Sequence, residues 1–150
     1  MIQNLQIALR RMTELDYECM LEWRQDEDVR RFYSNPYDNY TLEKVVRKYT
    51  SRVQGKDKKV PIIIQFNDIP VGYLQYYELE LEDKRLYGLP ETLIIFGMDI
   101  LIGNKNYRNK GIASQAIQLL KIYLKENTRV NTLVLKLAKE NTSAIWIVYT

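Results

Sequence analysis

One hundred and fifty residues, 46% of them apolar and 27% charged, suffice for a single domain with its own core and exclude a disordered chain. A net charge of +3, dispersed over Arg10–Arg11, Lys44–Lys48, Arg52–Lys59 and Lys105–Lys110, is too weak to single out nucleic acid as a partner. The chain has no histidine, which removes histidine bases, triads and metal ligands, so no metal centre is expected.

The elements follow in chain order. Leu5, Ile7 and Leu9 alternate with polar residues and predict a strand over residues 5–10. Thr13 opens a capping pattern for a helix carrying Cys19, Met20, Leu21 and Trp23. The lone Cys19 cannot form an internal disulfide, suits a reducing cytoplasm and reads as a core residue. Asp26-Glu27-Asp28 starts a short second helix with Val29, Phe32 and Tyr33 on one face, and Ser34-Asn35-Pro36 stops it. Thr41-Leu42-Glu43 starts a third, running to about Arg52 with Val45, Val46 and Tyr49 inward. Val60–Phe66 and Val71–Leu81 flank the turn residues Asn67-Asp68 and predict an antiparallel hairpin. Residues 83–91, with Gly88 and Pro90, read as a loop.

Thr92–Ile102 predicts a buried strand, and Ile112–Leu124 is the best helix, with Ala113, Ala116, Ile117, Leu120 and Leu124 at helical spacing. Val130–Leu137 predicts a further strand and Ser143–Tyr149 a final helix. A strand–helix–strand unit over 92–137 demands a right-handed parallel crossover. The fold class is therefore α/β (α+β): one domain over residues 1–150, with a mixed, mostly antiparallel sheet and helices on both faces. Neither a signal peptide nor a membrane span is expected. Twelve tyrosines either line a pocket for a polar ligand or are simply the aromatic this proteome favours.

Chemistry concentrates where the strand ending Gly97-Met98-Asp99-Ile100-Leu101-Ile102 feeds the helix that starts after Arg108-Asn109-Lys110-Gly111. Free amides and the positive end of the helix dipole converge there, so residues 108–114 (Arg108, Asn109, Lys110, Gly111, Ile112, Ala113, Ser114) are expected to hold a diphosphate. Asp99, a carboxylate inside an apolar strand beside that site, is the candidate base, or else a structural cap on a bulge. Glu78, Glu80 and Glu82 alternate after Tyr76, with Asp83 adjacent, while Gln75 and Tyr77 occupy the other strand face. That acidic run predicts a cationic acceptor, or else a charged edge strand protected from pairing.

The segment Arg108-Asn109-Lys110-Gly111-Ile112-Ala113 and the element order resemble the GCN5-related N-acetyltransferase (GNAT) superfamily. Further blocks, Met20-Leu21-Glu22-Trp23, Tyr40-Thr41-Leu42-Glu43, Gly72-Tyr73-Leu74-Gln75 and Gly97-Met98-Asp99, are similar to the aminoglycoside 6'-N-acetyltransferases, above all the acetyltransferase half of the bifunctional Gram-positive resistance enzyme. The resemblance spans the chain to about Ile145. It implies acetyl transfer from acetyl-CoA to an aminoglycoside amine, and so antibiotic resistance. It implies Asp99 as general base, Ile100, Leu101 and Ile102 on the pantetheine arm, and Asn141 on the cofactor. Gln75, Tyr76, Glu78 and Glu80 join Asp99 as the expected acceptor site, and Tyr149 is the candidate acid for the leaving thiolate.

Two departures stand out. Lys136 replaces an acidic residue of the family, and the family's last strands are expected to be missing. An open edge beside residues 130–137 would then favour a homo-oligomer. A different amine acceptor, or a CoA-binding remnant without turnover, are the alternatives.

Overall fold

The computed structural model describes residues 2–3, 6–32, 37–139 and 142–149, with side chains described for 6–31 and 37–136. Two strands, β1 (Ile2–Gln3) and β2 (Ile7–Arg11), precede three helices, α1 (Tyr17–Gln25), α2 (Glu27–Phe32) and α3 (Leu42–Val53). The hairpin β3 (Val60–Phe66) and β4 (Ile69–Glu78), a short helix α4 (Leu81–Leu86) and the long strand β5 (Ile95–Ile102) follow. The chain then forms α5 (Ile112–Asn127), β6 (Thr132–Lys139) and β7 (Thr142–Tyr149). The seven described strands form one sheet in sequential order, and among them only β5 and β6 pair in parallel.

Both sheet faces are covered. On one, α5 lays Ile112, Ala116, Leu120 and Leu124 over Ile7, Leu9, Ile62, Ile64, Leu74 and Met98. On the other, Met20, Trp23, Val45 and Tyr49 of α1 and α3 pack on Ile63, Tyr73 and Leu101. Double coverage explains why Val60–Phe66 is a nearly unbroken apolar run: alternate residues feed opposite cores. Val46, expected inward, is instead exposed on α3.

Two expectations fail at strand ends. The strand from Val71 stops at Glu78, because Glu80 and Asp83 form a capping box that starts α4. Glu80 and Glu82 are therefore not on a strand face with Glu78, and part of the expected loop is helical. The segment expected as a final helix is β7, antiparallel to β6 from Lys139↔Thr142 to Leu133↔Tyr149. Its sequence, Thr-Ser-Ala-Ile-Trp-Ile-Val-Tyr, is dominated by β-branched and aromatic residues, and β6 presents unpaired backbone for it. The edge expected to be open beside residues 130–137 is thus paired, which removes the reason for self-association there. Among the described residues, no helix is long and apolar enough to cross a membrane.

The entry into α1 rests on one carboxylate. Asp16 accepts two hydrogen bonds from Arg10 at 2.8 Å each and one from the Thr13 amide at 2.8 Å. Burial alone would raise the Asp16 pKa, but Arg10 and Thr13 outweigh it and hold it below the usual carboxylate range. The stability this contributes is complete above the unfolded aspartate's pKa and is lost as pH falls through the depressed folded value. Asp16→Asn is expected to remove about 2 kcal/mol at neutral pH. In urea titrations the gap from wild type should close below about pH 4. A gap independent of pH would contradict the ionic origin.

Close packing also fixes the end of β5. Any Cβ added to Gly103 would fall inside the Trp23 indole ring. Gly103→Ala is expected to cost about 1–3 kcal/mol by forcing α1 off the sheet, read as a lower denaturant midpoint.

Candidate functional site

The sheet parts at one place. Parallel pairing between β5 and β6 runs from Ile95↔Thr132 to Met98↔Leu135, whereas β5 continues along β4 as far as Gly72↔Ile102. From Asp99 onward, β5 therefore has one strand neighbour. A cleft of about 530 Å³ opens there, lined by Ile100, Leu101 and Ile102, by Arg108, Asn109 and Ala113, and by Asp28 and Val29 of α2.

The start of α5 closes one end of this cleft. Asn109 and Gly111 both take positive φ, 60° and 76°, and no side chain caps the helix. The first helical bond runs from the Gln115 amide to the Gly111 carbonyl at 3.1 Å. The amides of Ile112, Ala113 and Ser114 precede it, so they lack intrahelical acceptors and sit at the positive end of the dipole. A Cβ on Gly111 would meet open space, so the backbone angle, rather than crowding, requires glycine. Lys110 rests its ammonium 5.9 Å from the Tyr107 ring centroid. These features fit an extended thiol arm ending in a diphosphate: an open strand edge, an apolar wall and uncapped amides in line.

Arg108 is committed elsewhere. Its guanidinium donates to the carbonyls of Ile102 (2.8 Å) and Gly103 (3.0 Å) and to the carboxylates of Asp26 (3.2 Å) and Asp28 (3.3 Å). Asp26 in turn accepts from the Val29 and Asp28 amides at the head of α2. Arg108 thus pins α2 to the end of β5 and forms a wall of the cleft.

Asp99 lies at the divergence, on the sheet face covered by α1–α3. Its Oδ2 accepts from Gln75 Nε2 at 2.7 Å and, more distantly, from the Tyr77 hydroxyl at 3.5 Å. Among the described residues neither donor uses Oδ1. Gln75 is held by two donors to its Oε1, Arg52 at 2.7 Å and the Tyr73 hydroxyl at 2.9 Å. Burial, then the nearby Asp99 charge, pushes the Tyr77 phenol well up, so it remains a neutral donor.

Cations surround this carboxylate. Lys59 and Lys136 place their ammonium groups 5.8 and 5.1 Å from the Tyr77 ring centroid. Arg52 and Arg24 lie against the Tyr49 ring at 5.2 and 5.9 Å, and Arg24 also donates to the Tyr49 hydroxyl at 2.7 Å. Lys48 donates to the Tyr40 hydroxyl at 3.1 Å. Burial, then Arg24 and Arg52, lowers its pKa to about 8.

Other expected residues fall elsewhere. Tyr76 is buried on the α5 face against Phe96 and Tyr123, and strand alternation sends the exposed Glu78 the same way, away from Asp99. Glu80 pairs with Lys58 at 3.0 Å at the head of α4. Tyr149 is a strand residue opposite Leu133. Tyr33, Ser34, Asn35, Pro36 and Asn141 lie outside the described residues. Burial, then Asp16 and Glu22, pushes the Cys19 thiol up to about 11, which suits an inert core residue. Among the described residues no cluster could hold a metal ion. Sequence reading missed Tyr73 and Arg52; Tyr73 was within reach, since i±2 residues on a strand share the face of Gln75.

The acetyltransferase (GNAT) domain matches residues 12–148. Among solved structures, aminoglycoside acetyltransferase AAC(6')-Ib with coenzyme A and kanamycin superposes with a TM-score of 0.69 at 22% identity, over 90% of this chain and 76% of that one. A GNAT-family acetyltransferase from Bacillus anthracis gives 0.69 at 21%, over 93% and 75%. Aminoglycoside N(6')acetyltransferase from Legionella pneumophila gives 0.64 at 15%, over 90% and 72%. At these identities the likeness is one of fold. The chain belongs to the GNAT acetyltransferase family, with acetyl-CoA as its acyl donor.

Proposed function

We propose that this chain moves the acetyl group of acetyl-CoA onto a primary amine, with Asp99 accepting the amine's proton. The observation that supports this most is the position of Asp99 at the residue where β5 leaves β6, at the mouth of the cleft formed by Ile100–Ile102 and the α5 amides. Acetyl-CoA supplies an acetyl thioester, which only a neutral amine attacks. Asp99 takes one proton from the ammonium, through Oδ1, to which no described residue donates. As the N–C bond forms and the C–S bond breaks, the nitrogen's second proton leaves, and the thiolate takes one to become the free thiol.

Gln75 keeps Asp99 aimed, since Arg52 and Tyr73 hold its carbonyl and turn its amide toward the carboxylate. The amides of residues 112–114, with Asn109, Lys110 and Gly111 shaping the loop, hold the diphosphate. The strand edge at Ile100 and Leu101 pairs with the pantetheine arm, and Arg108 keeps the wall in place. Asn141 stands as the resemblance assigns it, a cofactor contact; Tyr149, on β7 opposite Leu133 and so level with Phe96 rather than with the cleft, is not assigned as the thiolate's acid.

Within this reading, a 6'-amine of an aminoglycoside is the acceptor that the resemblance favours, and two of the structural neighbours named above are aminoglycoside acetyltransferases. The carboxylates expected to bind such a polycation, Glu78 and Glu80, do not reach Asp99, however.

Asp99→Asn is expected to keep coenzyme A affinity while slowing thiol release at least 100-fold at neutral pH. Unchanged turnover would show that Asp99 is not the base. Gly111→Val introduces a β-branched residue at φ 76° and is expected to weaken coenzyme A binding roughly tenfold in calorimetry, with helix content unchanged. Equal affinity would mean that the α5 amides do not hold the diphosphate.

A further inference from the structure

On the acceptor side of Asp99 the charge is positive. Lys48 of α3 and Lys59 before β3 interact electrostatically with this carboxylate, Arg52 holds its partner Gln75, and Lys136 of β6 lies over the Tyr77 ring, with Arg24 on α1 against Tyr49. The acidic residues among them are few. Asp57 stands 3.9 Å from Arg52 Nε, Asp38 faces Lys48, and Asp83 faces Tyr77. Arg24 is 2% exposed, the Arg52 side chain 11%, and the Arg52 Nε donor makes no hydrogen bond. Lys48 also lines a second groove, of about 280 Å³, with Asp38, Tyr40, Lys44 and Arg47, of which Arg47 is paired with Glu43 at 2.8 Å.

Buried like charges repel, and their burial is tolerated when an anion joins them. Two of these lysines register the imbalance: burial first, then Arg24 and Arg52 at Lys48 and Arg52 at Lys59, lowers the pKa of both, although Asp99, with Asp38 at Lys48 and Asp57 at Lys59, acts in the opposite sense. A polycation brought to Asp99 would meet the same repulsion.

We propose that the acceptor is an amine that itself carries an anionic group, a carboxylate or a phosphate, which docks on Lys48, Arg52 and Lys59 while its amine faces Asp99. The inference rests on the acetyltransferase reading above and names its substrate class. The chemistry is the same balanced acetyl transfer; the anion remains unreacted and serves to hold and orient the amine.

Matched amines isolate the anion. L-lysine and cadaverine differ by one carboxylate, and phosphoethanolamine and ethanolamine by one phosphate; spermidine and kanamycin represent polycations. Thiol release from acetyl-CoA is expected to show kcat/KM at least roughly tenfold higher for the anionic member of one pair, the phosphate and carboxylate arms telling which anion fits. The preference should fall severalfold in Lys48→Gln and Lys59→Gln, chiefly through KM. A preference for cadaverine, spermidine or kanamycin overturns the proposal. So does equal use of both members of each pair. If no amine on the panel turns over, calorimetry on the coenzyme A complex decides. Binding of L-lysine or phosphoethanolamine, weakened in Lys48→Gln, supports the proposal; binding of spermidine alone, or of none, overturns it. Failure of the acetyltransferase reading looks different: coenzyme A itself would not bind.

Discussion

Everything at this site depends on where two parallel strands stop pairing. Had β6 followed β5 to Ile102, the sheet would be closed and its backbone groups consumed. Instead pairing ends at Met98↔Leu135, and the edge from Asp99 onward needs other partners. Arg108 supplies one by donating to the Ile102 carbonyl, and in doing so ties α2 to the same strand end. The remaining edge is left for an extended ligand. One divergence therefore aligns a strand edge, an uncapped helix and a carboxylate.

The two sheet faces divide the work. The α5 face is filled with aliphatic side chains and supplies hydrophobic stabilisation at roughly 25 cal/mol per Å² buried. The α1–α3 face gives up part of that gain to a polar chain running from Arg24 through Tyr49 and Tyr73 to Gln75 and Asp99. Direction in that chain is fixed by chemistry. Arg52 can only donate, so Gln75 must present its carbonyl to Arg52 and its amide to Asp99. The carboxylate thus inherits its orientation from a guanidinium it does not touch.

Sequence periodicity carried the order of the central elements, because double-sided burial writes long apolar runs such as Val60–Phe66 and a clean helical repeat after Gly111. It located Asp99 and the α5 start for the same reason: a charge inside an apolar strand and a glycine before a helix are local signals. The misreadings came where two sequence patterns compete. Alternating glutamates after Tyr76 looked like a strand face, yet Glu80 and Asp83 close a capping box, a three-residue pattern that competes with alternation. Residues 143–149 were read as a final helix, while their own β-branched content and an unpaired neighbour favoured a strand.

Least legible was the sign of the charge around Asp99. Lysines and arginines on helices read as solvated faces, and nothing in the spacing of Arg24, Lys48 and Arg52 says that tyrosine rings will draw them inward. Aromatic faces attract cations, so Tyr40, Tyr49 and Tyr77 hold partly buried charges even where desolvation opposes them. A ring quadrupole is not a counter-charge, however. It positions a cation while leaving its field largely uncancelled, which is the property a site needs if the balancing charge is to arrive with the substrate. Lys136 fits the same logic: where the resembling enzymes carry an acid, this chain sets an ammonium over Tyr77 and Tyr87.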